Sequence, residues 1–374
     1  MSLRALISTS ALLFFSLFLS LLVLFNDRSL LSLLWVSAKI LYVFGLSYLA
    51  LWLVLNRLLS AARAGTVFVN LSVALIATIV LLVGAECTLR YAFRDVATTG
   101  DNLSYFSTQW NKSVRHNRWG FRERDFDLKK PSGSYRIAVV GDSMAYGQGI
   151  REEERFSDLL EDRLQGRRGQ TYQVLNFALP GAETTDELGF LTRAVLTSRP
   201  DFILLQWYVN DVEGDDKGDG PSQLTIVPAG LRRVSVLFYL VHRGLGNLRS
   251  RLGWAPSYDQ YMLGRFADAN SPASLKATAT MSTFIEICRG FNIPLGIVLF
   301  SESYFSAASR LDFLLERMLL LCKEQKLRCV DTREVLLPLR GDARLLASRL
   351  DPHPSALANQ LVADRLLVEF GDIW

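Results

Sequence analysis

The sequence predicts an α/β protein, a parallel sheet covered by helices on both faces, set behind three membrane-spanning helices. Three observations carry this. The first 88 residues hold three long apolar runs and only seven charged side chains. From Tyr135 onward, short apolar runs alternate with longer amphipathic stretches. The mean hydropathy of the 374-residue chain is +0.19, high for a wholly soluble enzyme, so some of the chain belongs in a membrane.

Composition excludes several classes. Half of the residues are apolar, and 41 basic against 37 acidic side chains give a net charge of +4. A disordered chain needs lower hydrophobicity and higher net charge. With 25 glycines and 11 prolines, collagen-like and low-complexity sequence is excluded. Four cysteines are too few for a disulfide scaffold. Residues 1–88 carry five basic and two acidic side chains, leaving 36 and 35 for the rest. The basicity therefore belongs mostly to the membrane part, where it is a topology signal. No basic stripe with interleaved aromatics occurs, so nucleic acid is not an expected partner.

The spans come first. Residues 5–25 contain no charge, and at ~1.5 Å per residue such a helix covers about 30 Å, a bilayer core. A signal peptide has a shorter apolar core and a small-residue cleavage site; this run is longer and leads into Asn26-Asp27-Arg28. The second run, 30–55, is interrupted by Lys39, which either snorkels to an interface or sits in a polar groove between helices. The third, 66–85, ends at Glu86. Trp35, Tyr42 and Trp52 stand where interfacial aromatics sit. With the N-terminus inside, Arg4, Arg57 and Arg63 are cytoplasmic, and three spans place everything after Glu86 on the periplasmic or extracytoplasmic side. Arg28, Arg90 and Arg94 fall on that side too, so the charge bias is slight. The expected location is a multi-pass membrane protein with the bilayer as a partner.

Three regions follow: a membrane anchor over 1–88, a polar linker over 89–133, and one domain over 134–374. Strands are expected at 137–140, 174–177, 202–206, 295–300 and 328–330, with helices near 153–166, 184–198, 273–290, 309–325 and 355–369. This alternation implies a parallel sheet with both faces covered. An insertion over about 212–272 breaks it, and segments of that size often form a lid or binding element. Its run 236–241 is apolar all round a helix, fitting core packing, an acyl chain or the membrane surface.

The chemistry sits after the strands. The first strand runs into Gly141-Asp142-Ser143, and loops at the carboxyl ends of parallel strands carry function. Taken alone, this also fits a tight turn followed by an N-cap serine. No Lys-Ser or Lys-Thr follows, so it is not a phosphate loop. After the second strand comes Gly181; after the third, Asn210-Asp211. A backbone N–H and an amide side chain can there converge on Ser143, though Gly181 also fits a plain turn and Asn210 a loop cap. Near the C-terminus, before the last helix, stand Asp351 and His353. A serine hydroxyl needs a base to take its proton, and of three histidines His353 is the natural supplier. His116 lies in the linker and His242 in the insertion. Asp351 can hold the imidazole tautomer.

With these four blocks in order, the sequence resembles the SGNH (GDSL-type) hydrolases from about Tyr135 to the C-terminus. The resemblance implies a three-layer α/β/α sandwich around a five-stranded parallel sheet. It implies Ser143 as nucleophile, His353 as base, Asp351 as its partner, and an oxyanion hole from the Ser143 and Gly181 N–H groups and the Asn210 side chain. Two departures stand out. The family's acid lies three residues before the histidine, whereas Asp351 lies two before. Tyr208 replaces the glycine of the third block's Gly-x-Asn-Asp. The segment Asn117-Arg118-Trp119-Gly120-Phe121-Arg122 looks like one that precedes the first block in membrane-linked relatives, a structural lead-in that could also touch substrate.

The expected function is a membrane-anchored serine esterase acting on O-acyl esters of an envelope glycan, such as an O-acetylated one, or of a lipid-linked substrate. The same residues serve an O-acyltransferase. A non-catalytic membrane assembly subunit with a residual hydrolase fold is a further alternative, and a second membrane protein is among the expected partners. No cofactor is expected, and three scattered histidines give no metal site. A Cys322–Cys329 bridge and buried free thiols both fit the cysteines.

Overall fold

The computed structural model describes residues 52–214, 226–305 and 309–374. The first predicted span and most of the second, with Trp35, Lys39 and Tyr42, lie outside these residues. The chain divides into two compact units. One takes the chain up to Arg94 together with Val227–Val241; the other takes Asp95–Ile226 and His242–Trp374.

The first unit is built on helix α1, Ala61–Ala92. It contains the third predicted span and extends beyond it at both ends. Among the described residues it is the one helix long and apolar enough to cross a membrane. Only 11% of its most apolar window is buried, whereas a soluble core helix would be mostly covered. Glu86 does not end the helix, because its carboxylate finds donors. It accepts from Ser235 Oγ (2.8 Å), Val236 N (3.0 Å) and Leu237 N (3.0 Å). Arg90 braces it, donating to Glu86 (2.7 Å) and to the Val234 carbonyl (2.8 Å). The predicted insertion is thereby divided, its 227–241 stretch belonging with α1.

In the second unit, β1 (Ser134–Gly141), β2 (Thr171–Ala178) and β3 (Phe202–Trp207) are separated by helices α2 (Phe156–Leu164) and α3 (Thr184–Phe190). Helix α4 (Val236–Arg251) begins in the first unit. Then come α5 (Pro272–Gly290), β4 (Leu295–Leu299), α6 (Asp312–Gln325) and β5 (Arg328–Asp331). A small ribbon, β6 (Leu346–Ser348) and β7 (Asp351–Pro354), precedes α7 (Ala356–Phe370).

The main sheet has the order β2-β1-β3-β4-β5, with all pairs parallel. Successive side chains alternate between faces, and in β1 both sets are apolar. Ile137 and Val139 pack beneath α2 and α7, while Ala138 and Val140 pack beneath α3, α5 and α6. This double burial is why the strands read as unbroken apolar runs. The order reverses direction between β1 and β3, and the crevice at the carboxyl ends of those strands is where such sheets hold ligands.

Cys322, near the end of α6, is disulfide-bonded to Cys329 in the edge strand β5, with Cα atoms 6.4 Å apart. The alternative left open by the sequence is thus closed for this pair. Cys288 is a buried free thiol and Cys87 an exposed one.

Candidate active site

Ser143 follows β1 directly and opens a single helical turn, with Asp142 as its cap: the Asp142 carboxylate accepts from Met144 N at 2.8 Å. Gln206 in β3 holds this loop from the neighbouring strand. Its Oε1 accepts from Asp142 N (3.0 Å) and Ala145 N (3.1 Å). A polar residue inside an otherwise apolar strand run was a visible signal that sequence reasoning passed over.

The Ser143 hydroxyl lies 2.8 Å from His353 Nε2. On the other side of the ring, Nδ1 meets Asp351 Oδ1. Both groups sit on β7, where residues two apart project to the same side. This is the physical reason that a carboxylate at minus two reaches the imidazole. The Asp351 carboxylate also accepts from His353 N (3.1 Å) and from the hydroxyl of Thr98.

Thr98 comes from the polar linker, and nothing in the sequence marks it. Its approach depends on Gly149, which has φ +86°: a Cβ there would stand 2.4 Å from the Thr98 hydroxyl and 3.0 Å from Ala347 Cβ. The linker is held in place by Gln148 Nε2, which donates to the Thr99 carbonyl (2.9 Å). Arg122 of the lead-in segment is buried and donates to the carbonyls of Tyr146, Gly147 and Ile150 (3.0, 2.7 and 2.8 Å). Its task is to fix the turns after Ser143, with its donors directed into the protein.

Electrostatics favour a charged relay. Burial of the His353 ring lowers its pKa, but the adjacent Asp351 carboxylate outweighs this and holds it above the ordinary 6.5. Burial also opposes ionisation of Asp351. The His353 charge and the hydrogen bonds from His353 and Thr98 overcome that and hold it below 3.8.

The other two blocks lie on the same sheet edge. β2 pairs with β1 up to Gly141–Ala178, and β3 pairs with β1 on its other side. Gly181 has φ +76°, a turn that disfavours any residue with a Cβ. Asn210 Nδ2 donates to the Ala182 carbonyl (3.1 Å), tying the second block to the third. Tyr208 donates its hydroxyl to Glu302 (2.9 Å). A cleft of about 580 Å³ has Thr184, Asp211, Glu213, Tyr261 and Lys276 in its wall. It therefore adjoins the second and third blocks, and Ser143 is not part of its lining.

Sequence reasoning also missed a buried acid group. Asp142, Glu187 and Asp211 are all buried, and burial together with mutual repulsion raises the Glu187 and Asp211 pKa values well above the ordinary range. Neither oxygen of Glu187 has a hydrogen-bond partner. A carboxyl with a raised native pKa stabilises the fold fully below its unfolded value of 4.5 and loses that contribution as pH rises toward its native value. Glu187→Gln removes this loss. Thermal melts of variant and parent from about pH 5 to about pH 8 are expected to shift progressively in the variant's favour. A gap that stays constant across that range would refute the assignment.

No family model matches the chain, and no curated protein matches it. Solved structures with a similar course include an acetyl xylan esterase (16% identical, 62% of this chain and 98% of that one, TM-score 0.40). A member of the lipolytic G-D-S-L family from Veillonella parvula is 14% identical over 64% of this chain and 98% of its own, with a TM-score of 0.38. A lipase/acylhydrolase from Enterococcus faecalis is 14% identical over 64% and 96%, with a TM-score of 0.37.

Proposed function

We propose that this protein is a membrane-anchored serine esterase that cleaves O-acyl esters of an envelope glycan or lipid-linked substrate outside the cytoplasm. One observation carries the chemistry: a serine hydroxyl 2.8 Å from an imidazole whose other nitrogen meets a buried carboxylate. Ser143 Oγ attacks the ester carbonyl carbon while its proton passes to His353 Nε2. The oxyanion is taken by the N–H groups of Ser143 and Gly181 and by Asn210; losing one such donor typically costs ~10²–10³ in rate. The C–O bond to the alcohol breaks as His353 returns the proton to the leaving oxygen. Water, activated by the same imidazole, then releases the acid from Ser143. A glycan hydroxyl in place of water would make the same acyl-enzyme a transferase.

Two observations support the location. Helix α1 has the length and apolar surface of an anchor, and the Cys322–Cys329 bridge suits an oxidising compartment. The cleft beside the second and third blocks has room for a sugar-sized group.

The test is a fluorophosphonate probe on the full chain. Covalent labelling confined to Ser143 is expected, and a folded protein that takes no label is not a serine hydrolase. Mass spectrometry of the Ser143 peptide after incubation with an acetylated glycan separates the two fates. An acyl-serine cleared by water alone marks an esterase, and one that persists until a sugar is added marks a transferase.

A further inference from the structure

We propose that helix α4 lies in the headgroup layer of the membrane, with one apolar stripe facing the acyl chains. This rests on the reading of α1 as a membrane span.

The start of α4 is fixed in depth. Glu86 stands where the uncharged run of α1 ends, and its carboxylate takes the N–H groups of Val236 and Leu237 and the hydroxyl of Ser235. An anion at a helix N-terminus satisfies donors that have no partner within the helix. Tyr91, highly exposed one turn further along α1, is an aromatic of the kind that gathers at the interface. Helix α4 therefore begins at the edge of the hydrocarbon.

Its surface matches that position. Phe238, Val241, Leu245, Leu248 and Leu252 recur at alternating spacings of three and four, so at 100° per residue they fall within about 80° of arc. All five are exposed, between 36% and 50%. The opposite side begins with the buried Val236 and Tyr239 and continues with Arg243, Asn247 and Ser250. Arg243 on that side donates to the Leu350 carbonyl (3.2 Å), and from Gly244 to Leu248 every residue is exposed. Trp254, 71% exposed, follows just beyond the C-terminus.

The occupant is lipid rather than a soluble partner, because the stripe continues from a point tied to the span and is flanked by cations. The exposed Arg233 precedes the helix, and Arg249 and Arg251 lie in its last turn. A helix with an apolar stripe and basic flanks is the form that lies in an anionic interface.

The test uses the full chain with Cys87→Ser, reconstituted in vesicles of phosphatidylethanolamine and phosphatidylglycerol. Single variants Leu245→Cys, Leu248→Cys, Asn247→Cys and Leu81→Cys carry a nitroxide label. Relaxation by oxygen, which concentrates in lipid, is compared with relaxation by a water-soluble nickel chelate. Circular dichroism melts confirm that each variant is folded. The oxygen-to-nickel ratio is expected to be roughly tenfold higher at 245 and 248 than at 247, and to approach that at 81. A high ratio at 81 with low ratios at 245 and 248 puts the stripe in water and overturns the proposal alone. Shielding of 245 and 248 from both reagents means a protein partner and also overturns it. A low ratio at 81 removes the span itself, and with it the proposal.

Discussion

Ser143→Ala is expected to lower ester turnover about 10⁴- to 10⁶-fold and to abolish fluorophosphonate labelling, because the Ser143 hydroxyl is the nucleophile that gives its proton to His353. The fold should hardly register the change. The Ser143 side chain is half-buried, and its hydroxyl is joined to His353 rather than to the core. Loss of that one bond costs about 1 kcal/mol, a melting shift of no more than about 4 °C for a domain of this size. His353→Ala should lose activity to a similar extent, with a larger stability cost, since the buried Asp351 carboxylate loses its ring partner. Residues that act as one unit are not additive. The double variant should therefore be no slower than either single variant within a factor of about three. Independent, multiplicative losses would mean that Ser143 and His353 do not share a step, whatever their separation.

The sheet was legible because parallel strands buried on both faces read as apolar runs with few polar interruptions. All five predicted runs overlap observed strands, and β1 and β2 each begin three residues earlier and end one later than predicted. Ser143 stood out for a related reason: a serine just after such a strand interrupts an apolar pattern. What could not be read was which chemically unmarked residues meet across long separations in sequence. Thr98 is one threonine in a polar linker, and only folding brings its hydroxyl to Asp351, 253 positions away. Glu86 looked like the end of a span, since a carboxylate there is costly until a distant helix supplies donors. The minus-two spacing of Asp351 stood out as a departure because strand β7 is only four residues long and carries two prolines, and a strand that short leaves no periodic signal.

Asp351→Asn should cost about 10⁴ in kcat and, more tellingly, should move the acidic limb of the pH–rate profile. In the parent, kcat/KM rises as His353 loses its proton, and the Asp351 carboxylate holds that pKa above 6.5. The sign is fixed by charge: the carboxylate favours the imidazolium, so the base becomes free only at higher pH. Asparagine has nearly the same shape but no charge, while the burial that opposes protonation of the ring remains. The limb is therefore expected to fall to or below the ordinary histidine value as the rate falls, since the amide can also present an N–H to Nδ1 and fix the wrong tautomer. Thr98→Val supplies the graded case. It removes one donor from Asp351 but leaves the charge, so a loss of about 1.5 kcal/mol, roughly tenfold in rate, should come with a limb displaced by less than about one pH unit. If Asp351→Asn slows the enzyme yet leaves the limb where it was, Asp351 only supports the ribbon and some other group sets the imidazole. The order expected from the geometry is a large loss with a large acid shift for Asp351→Asn, and a small loss with a small shift for Thr98→Val. A packing defect in β7 would slow both variants without moving either limb.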